Sequence, residues 1–344
     1  MDLWLYLRDM LARSAMLSSE VPSSSRIMDF TLVGAPAGPL VVCADSRYGG
    51  VWTWDPLRDV WQERPLTFAC AGDPLAARYP DAENDVDSVA AVVSGGRVIL
   101  AAGGDEQGFA FWDLESGELI RGAGFDDPYL AAITEVRGEG PPLFVTATQY
   151  ADEILVWRPS AEDVLTELSN DIGRIACLTA TYAHGLSLAA AGGMDEGVAV
   201  WDLPAGGEVR SFDTDEKGVL AVSLARLAGD PIVVAGVEDE IHVWGLSDEH
   251  GDDLIRDPLT GHEDAVVALD TAVIGDRVLA VSGGEDATVR LWDLSTGRQL
   301  GDPLIGHDGS VETVQTAVLD GRHVVLSAGR DSEINIWDLQ TLVR

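Results

Sequence analysis

The segment TVRLWDLSTGRQLGDPLIGHDGSV, residues 288–311, decides the fold of this chain. It contains a short alternating run that ends in Trp292-Asp293, a turn, and a second run that leads to Gly306-His307. Related runs that end in or just after a tryptophan recur along the chain: GGVWTWD, GFAFWDL, EILVWRP, GVAVWDL, EIHVWGL, TVRLWDL and EINIWDL. The chain is therefore built from seven copies of one unit.

The spacing of the units predicts the architecture. The seven tryptophans are separated by 58, 45, 44, 43, 48 and 45 residues: Trp54, Trp112, Trp157, Trp201, Trp244, Trp292 and Trp337. A period of about 45 residues is typical of propeller blades. Each unit also contains four short strand-like runs separated by turn residues. These features predict an all-β fold, a seven-bladed β-propeller of four-stranded antiparallel blades.

The two ends of the chain are expected to meet. Only seven residues follow Trp337, too few for an outermost strand, and the same register places the missing strand near residues 15–21. An N-terminal strand is thus predicted to close the ring, with one propeller over residues 15–344. Residues 1–14 form an extension, and Leu3, Leu7 and Leu11 fall at helical spacing. We expect a short helix on the flank of the propeller; the alternative is a docking helix for another protein.

The overall charge excludes several classes of partner. With 58 acidic against 22 basic residues, the formal net charge is -36. Nucleic acids and anionic membranes are bound through clustered Lys and Arg, so we expect neither as a partner. The simplest alternative meaning of the charge is solubility. Three scattered cysteines, no secretory leader and no long apolar run indicate a cytoplasmic protein.

The residues around the tryptophans resemble the WD40 family. Five of the seven tryptophans are followed by Asp: Asp55, Asp113, Asp202, Asp293 and Asp338. Units six and seven repeat a set at identical spacing: His262, Ser282, Asp286 and Trp292, then His307, Ser327, Asp331 and Trp337. The resemblance implies that each set forms a buried hydrogen-bonded tetrad. The segments DPLTGH and LDGRHVVLSAGRD are similar to those of bacterial, actinobacterial-type members of the family. Such members stand alone or are fused to signalling modules.

Units two to five carry an acid where units six and seven carry the tetrad histidine. Together with neighbouring acids these residues precede the predicted innermost strands, whose connecting loops meet on one face; we name this set the acidic collar: Asp85, Asp87, Asp126, Asp127, Asp171, Asp215, Asp264 and Asp308. One interpretation is that each Asp accepts backbone N–H groups at a turn. Another is a negative funnel that attracts a basic peptide. A divalent-cation site is a third, but the spacing matches neither an EF-hand nor an RTX-type calcium loop, so no metal is predicted.

One connection is longer than the repeat requires. The spacing of 58 after Trp54 places about thirteen extra residues within 70–84, on the same face as the acidic collar. Long loops on rigid scaffolds often carry binding residues, and Arg78 and Tyr79 are the candidates here. An idle insertion is the alternative.

The sequence contains no catalytic signature. A nucleophile elbow, a Walker loop and a zinc-protease motif are all absent, and no cofactor is predicted. We therefore predict a non-enzymatic, monomeric scaffold that binds a protein or basic peptide on the acidic collar. The alternative is a small-molecule-binding or catalytic propeller, in which channel carboxylates such as Asp171 and Asp195 pair and have raised pKa values.

Overall fold

Seven antiparallel sheets make up the part of the chain that the structure describes. The computed structural model describes residues 17–45, 50–66, 86–104, 108–123, 130–138, 141–148, 154–159, 164–169, 171–182, 186–195, 197–203, 205–247, 251 and 253–342. The predicted extension 1–14 and the connection 70–84 lie outside these residues. No helix in the described part is long and apolar enough to span a membrane.

Blades one to four each contain four antiparallel strands, which follow the chain from the innermost to the outermost, and blade four has one further short strand. Blade one consists of β2 (Ile27–Ala35), β3 (Gly38–Asp45), β4 (Val51–Asp55) and β5 (Val60–Arg64). Blade two consists of β6 (Ser88–Ser94), β7 (Arg97–Gly104), β8 (Gly108–Asp113) and β9 (Leu119–Ala123). Blade three consists of β10 (Leu130–Glu135), β12 (Phe144–Thr148), β13 (Ile154–Trp157) and β14 (Val164–Leu168). Blade four consists of β15 (Ile175–Tyr182), β16 (Leu188–Gly193), β17 (Val198–Asp202) and β18 (Glu208–Phe212), with β11 (Arg137–Gly138) added in parallel to β15.

Blades five to seven have irregular outer edges. Blade five consists of β19 (Val219–Leu227), β20 (Asp230–Val237), β21 (Glu240–Gly245) and the two-residue β22 (Leu259–Thr260). Blade six consists of β23 (Val266–Ile274), β24 (Arg277–Gly284), β25 (Thr288–Asp293) and two short outer pieces, β26 (Arg298–Gln299) and β27 (Leu304–Ile305). Blade seven consists of β28 (Thr313–Leu319), β29 (Arg322–Ala328), β30 (Glu333–Asp338) and β1 (Leu17–Glu20), and a short helix, α1 (Leu339–Leu342), follows β30.

Local sequence explains why the strands form and turn. The middle strands pack on both faces, so they are continuous apolar runs; every residue of β16, LAAAGG, is buried. Gly95 and Gly96 both have positive φ angles, 59° and 77°, between β6 and β7. A tight hairpin turn needs two such residues, and glycine adopts them without strain.

The seven innermost strands contact each other in cyclic order, and the last contacts the first. Apolar clusters fill the spaces between neighbouring blades, for example Phe30, Val41 and Trp54 of blade one against Val324 and Ile336 of blade seven. The all-β, seven-bladed propeller predicted from the spacing of the tryptophans is confirmed.

The predicted closing strand is also confirmed. β1 runs antiparallel to β30, with Leu17 opposite Ile336 and Glu20 opposite Glu333. Its Ser19 hydroxyl donates to Asp59 Oδ1 at 2.9 Å and accepts the Trp61 indole N–H at 2.9 Å. Because Asp59 and Trp61 belong to blade one, the closing strand is bonded to both blades that it joins.

Candidate functional site

In blade six, the four predicted tetrad residues form one buried chain. Trp292 Nε1 donates to Ser282 Oγ at 2.8 Å, and Ser282 Oγ lies 2.7 Å from His262 Nε2. His262 Nδ1 lies 2.9 Å from Asp286 Oδ2. Since Ser282 already accepts the indole proton, its own proton goes to Nε2 and Nδ1–H donates to Asp286. Burial lowers the pKa of His262, which is 5% exposed, so this imidazole is neutral and enclosed.

Blade seven repeats this arrangement. His307 lies 2.8 Å from Ser327 Oγ and 2.7 Å from Asp331 Oδ2, and Trp337 donates to Ser327 at 2.9 Å. Burial is the largest single influence on Asp331 and opposes its ionisation, but the hydrogen bond and charge of His307, together with the backbone N–H groups of Asp308 and Glu333, outweigh it and lower the pKa of the carboxyl. Both tetrads use all their polar groups inside the blade. They stabilise the fold and leave no group free for chemistry.

In blades one, three and four the indole N–H of the tryptophan meets a different environment. In blade three, Trp157 Nε1 donates to Thr146 Oγ1 at 2.8 Å. In blade one, Trp54 Nε1 donates to Asp59 at 3.0 Å. In blade four, Trp201 Nε1 is buried and has no acceptor among the described residues. Sequence reasoning missed Thr146, whose only signal is a hydroxyl one residue before the serine position.

The structure places five residues of the acidic collar just before the innermost strands. Asp87 precedes β6, Asp171 precedes β15, Asp215 precedes β19, Asp264 precedes β23 and Asp308 precedes β28. All but Asp87, which is half-buried, are exposed. The ring order of these strands brings the five loops to one end of the channel. Asp85, Asp126, Asp127, Arg78 and Tyr79 lie outside the described residues.

The turns on this face are held mainly by other carboxylates. Asp213 Oδ1 accepts the N–H of Asp215 at 2.7 Å. Asp331 accepts the N–H of Asp308 at 3.0 Å, and Asp286 accepts the N–H of Glu263 at 3.1 Å. Asp215 and Asp308 thus contribute their backbone donors to the turns while their side chains face solvent.

One expectation for this face is wrong. The alternative of a catalytic propeller requires Asp195 to pair with Asp171 and to have a raised pKa. Asp195 instead accepts two hydrogen bonds from Arg174, at 3.0 and 3.2 Å. These bonds, together with the charge of Arg174, lower the pKa of Asp195. An ionised, exposed, paired carboxylate is not suited to act as a general acid.

The innermost strands surround a cavity of about 250 Å³ along the propeller axis. Its walls combine apolar residues, chiefly Ala, Val and Leu, with hydroxyl groups and with carboxylates at Asp29, Asp87, Glu135, Asp270 and Glu312. Asp270 accepts the Thr316 N–H at 2.6 Å, so it joins blade six to blade seven. Among the described residues, no group of three or more His, Cys, Asp or Glu could hold a metal ion.

Asp29 is a carboxyl of this cavity with a perturbed pKa. Its Oδ2 accepts Val89 N–H at 2.9 Å and the Ser88 hydroxyl at 3.1 Å, and Ser88 in turn accepts Ile133 N–H at 3.0 Å. Burial raises the pKa of Asp29 to about 7, and the negative charge of Glu135 adds to the effect. Sequence reasoning missed this residue, although an Asp inside the apolar run IMDFTLV was a usable signal.

Comparisons with known proteins found one family model and several relatives that match parts of the chain. The family model described as "WD domain, G-beta repeat" matches residues 254–293 and 298–338, which contain both tetrads. The chain is 27% identical over 121 residues to the Arabidopsis thaliana protein "Autophagy-related protein 16", across 35% of this chain and 23% of that protein. It is 29% identical over 146 residues to the Homo sapiens "Angio-associated migratory cell protein", across 42% of this chain and 31% of that protein. The matches thus span less than a third of either relative. The tetrad geometry and these matches together support the assignment of this propeller to the WD40-repeat family.

Proposed function

We propose that the protein is a non-enzymatic scaffold that binds a protein or peptide on the face carrying the acidic collar. The observation that carries this proposal is the convergence of exposed carboxylates on one end of a closed ring, at Asp171, Asp215, Asp264 and Asp308. WD40 propellers as a family generally bind protein partners. The extension of that property to this chain is our inference.

The charge favours a basic partner. A net charge of -36 creates a long-range attraction for cations, and exposed carboxylates around one opening direct it to that face. Such attraction raises the association rate and weakens as salt is added. We propose a cytoplasmic, monomeric scaffold whose partner carries clustered Lys or Arg.

The fold supplies the rigidity that such a surface needs. The collar loops of blades six and seven are fixed through their backbone N–H groups to the tetrad carboxylates, Asp286 and Asp331. A partner therefore meets a preformed surface and does not have to order the loops on binding.

The test is affinity purification of the tagged protein from its own cell extract at low and moderate salt. The test variant neutralises the collar through four substitutions: Asp171→Asn, Asp215→Asn, Asp264→Asn and Asp308→Asn. A matched control removes four exposed charges from the outer strands or their turns: Glu63→Gln, Glu118→Gln, Glu167→Gln and Glu208→Gln. We expect the collar variant alone to lose the partner. Equal retention, or equal loss, in both variants would overturn the assignment of the surface.

A second candidate function is small-molecule binding in the central cavity. Asp29, with a pKa of about 7, is a group that can exchange a proton near neutrality. Against this candidate, about 250 Å³ is below the usual size of a ligand pocket. Native mass spectrometry of the purified protein tests it: a bound compound lost on Asp29→Asn would favour the cavity over the collar.

A further inference from the structure

A groove of about 560 Å³ lies between blades four and five, at the outer side of the collar face. One wall is the connection 213–217 between the two blades, and the other is the segment 253–258. His242 and Trp244 of β21 lie between these walls. This volume is within the range of sites that bind ligands or side chains.

The groove exists because blade five has a short outer strand. The outer strands of blades one to four have five residues each, whereas β22 has two. Before β22, the chain contacts β21 at the Trp244–Leu254 bridge and through Ile255 N–H, which donates to Val243 O. The following residues, Arg256 to Pro258, leave the ladder and widen the space beside His242.

Blade six interrupts its outer strand in the same way, but there the space is filled. Arg290, two residues before Trp292, is only 9% exposed. Its Nη1 donates to Gln299 Oε1 at 2.9 Å, and its Nε donates to Thr288 Oγ1 at 3.2 Å. A Cβ added to Gly261 would lie 3.0 Å from Arg290 Nη1, so the guanidinium lies directly against the loop that connects blades five and six.

His242 holds the corresponding position in blade five, two residues before Trp244. Its ring tilts against Trp244 at 5.5 Å, and Nε2 lies 3.2 Å from Glu240. Histidine is shorter than arginine, and the groove beside it stays open. In blade six, the guanidinium of Arg290 occupies this position. In blade five the equivalent residue of β21 is His242, so β21 places no arginine side chain in the groove.

The lining of this groove is negative. It includes four exposed carboxylates: Asp213, Asp215, Asp253 and Asp257. The two cations of the lining are directed to other groups. Lys217 Nζ lies 3.1 Å from Glu238, and a Cβ added to Gly297 would lie 3.0 Å from Arg256 Nη1, which places that guanidinium against blade six.

We propose that this groove binds the side chain of an arginine on a protein partner, in the manner in which blade six encloses Arg290. The planar guanidinium offers several fixed donors to carboxylates and stacks on aromatic rings, which an ammonium does less well. The inference deepens the proposed function and rests on it, because Asp215 belongs to both surfaces. The collar attracts a basic partner in general, whereas the groove binds one arginine side chain of that partner.

The decisive variant is His242→Arg, because it gives blade five the arginine that blade six has. The probe is an acetylated and amidated alanine-rich pentapeptide with one central arginine, compared by calorimetry with its lysine counterpart. The two peptides have the same charge, so general attraction to the acidic protein cancels. We expect the arginine peptide to bind at least tenfold more tightly, and His242→Arg to remove that difference.

Two further variants keep the test decisive. The double variant Asp253→Asn with Asp257→Asn leaves the rings of His242 and Trp244 unchanged. It is expected to lower the affinity for the arginine peptide at least fivefold. Asp308→Asn, in blade seven, is expected to change the affinity for the arginine peptide less than twofold. Equal affinity for the arginine and lysine peptides, or an unchanged preference for arginine in His242→Arg, would overturn the proposal that the groove binds arginine. Neither result bears on the collar, which fails if the collar variant and its matched control keep the partner equally or lose it equally in the purification.

Discussion

Blades four and six have the same strand order and the same buried tryptophan, but only blade six gives the indole N–H an acceptor. In blade six Ser282 lies opposite Arg290 and accepts from Trp292. In blade four Ala191 holds the same register position, opposite Ala199, and Trp201 Nε1 is unpaired among the described residues. Apolar packing between blades is therefore sufficient to form a blade, and the tetrad adds stability to a fold that does not depend on it.

The comparison extends to the turn beside the tryptophan. In blade six, Asp286 is enclosed with His262, and hydrogen bonds outweigh burial and lower the pKa of its carboxyl. In blade four, Asp195 is exposed and paired with Arg174. An exposed pair of this kind contributes little to stability. An added acceptor for the indole N–H of Trp201 should therefore stabilise blade four. Removal of the acceptor of Trp292 should destabilise blade six.

The largest expected effect is the loss of stability caused by Ser282→Ala. This change leaves both Trp292 Nε1 and His262 Nε2 buried without a partner, at about 1–3 kcal/mol for each unsatisfied group. We expect the free energy of unfolding, measured in urea, to fall by about 3 kcal/mol. A loss below about 0.5 kcal/mol would show that the tetrad is dispensable even where it is complete.

A pH titration of stability compares two buried carboxyls. The pKa of Asp29 is raised to about 7 from an ordinary 3.8, so the folded state binds this proton more tightly than the unfolded state. The stability it contributes is complete below about pH 4 and is lost as the pH rises through 7. Asp286, with its lowered pKa, has the opposite sign and loses stability as the pH falls.

The test of this sign is Asp29→Asn, which cannot ionise but keeps an oxygen for Val89 N–H. Between pH 5 and 8 we expect the variant to gain on the order of 2 kcal/mol relative to the unmodified protein, in urea unfolding at each pH. A constant difference across this range would contradict the raised pKa.

The gain expected in blade four is smaller. Ala191→Ser places a hydroxyl where Ser282 stands in blade six and should satisfy Trp201 Nε1, for about 1 kcal/mol of added stability. The matched control is Ala189→Ser, in the same strand and equally buried, where the hydroxyl is not at the tetrad position. Destabilisation by both substitutions would mean that packing around Trp201 leaves no room for the acceptor.

The smallest effect is expected at the closing strand. Ser19→Ala removes the acceptor of Trp61 Nε1 and one donor to Asp59, but both groups are near solvent and water can replace the bonds. We expect a loss of about 0.5 kcal/mol, with faster hydrogen exchange confined to β1. Faster exchange throughout the ring would show that the closing strand controls every blade.

Much of the fold could be predicted because it depends on residues close in sequence. The tryptophan spacing defines the blades, and the register of the units places an outer strand near residues 15–21, where β1 is found. The resemblance to the WD40 family implies the tetrads, because His262, Ser282 and Trp292 match its motif and recur at the same spacing in unit seven. Each of these distances is set by hairpins of constant length.

The site was harder to predict because it depends on which blades are neighbours. Nothing near Asp29 in the sequence indicates that it accepts Val89 N–H, or that Arg174 neutralises Asp195. These contacts join residues whose partners are chosen by the closing of the ring and by side-chain orientation. The contrast between His242 and Arg290 likewise became meaningful only once both positions were seen beside an interrupted outer strand.

The sequence by itself determined the number of blades, the strand order and the closing strand, because a period-two pattern and a repeat of constant length leave one way to pair each strand. The two tetrads were implied by the resemblance of their residues to the WD40 family. The tertiary structure alone decided which carboxyls are buried, which acids are paired and where a groove stays open. Burial and pairing depend on desolvation and on charges from other blades, and a linear pattern contains neither quantity.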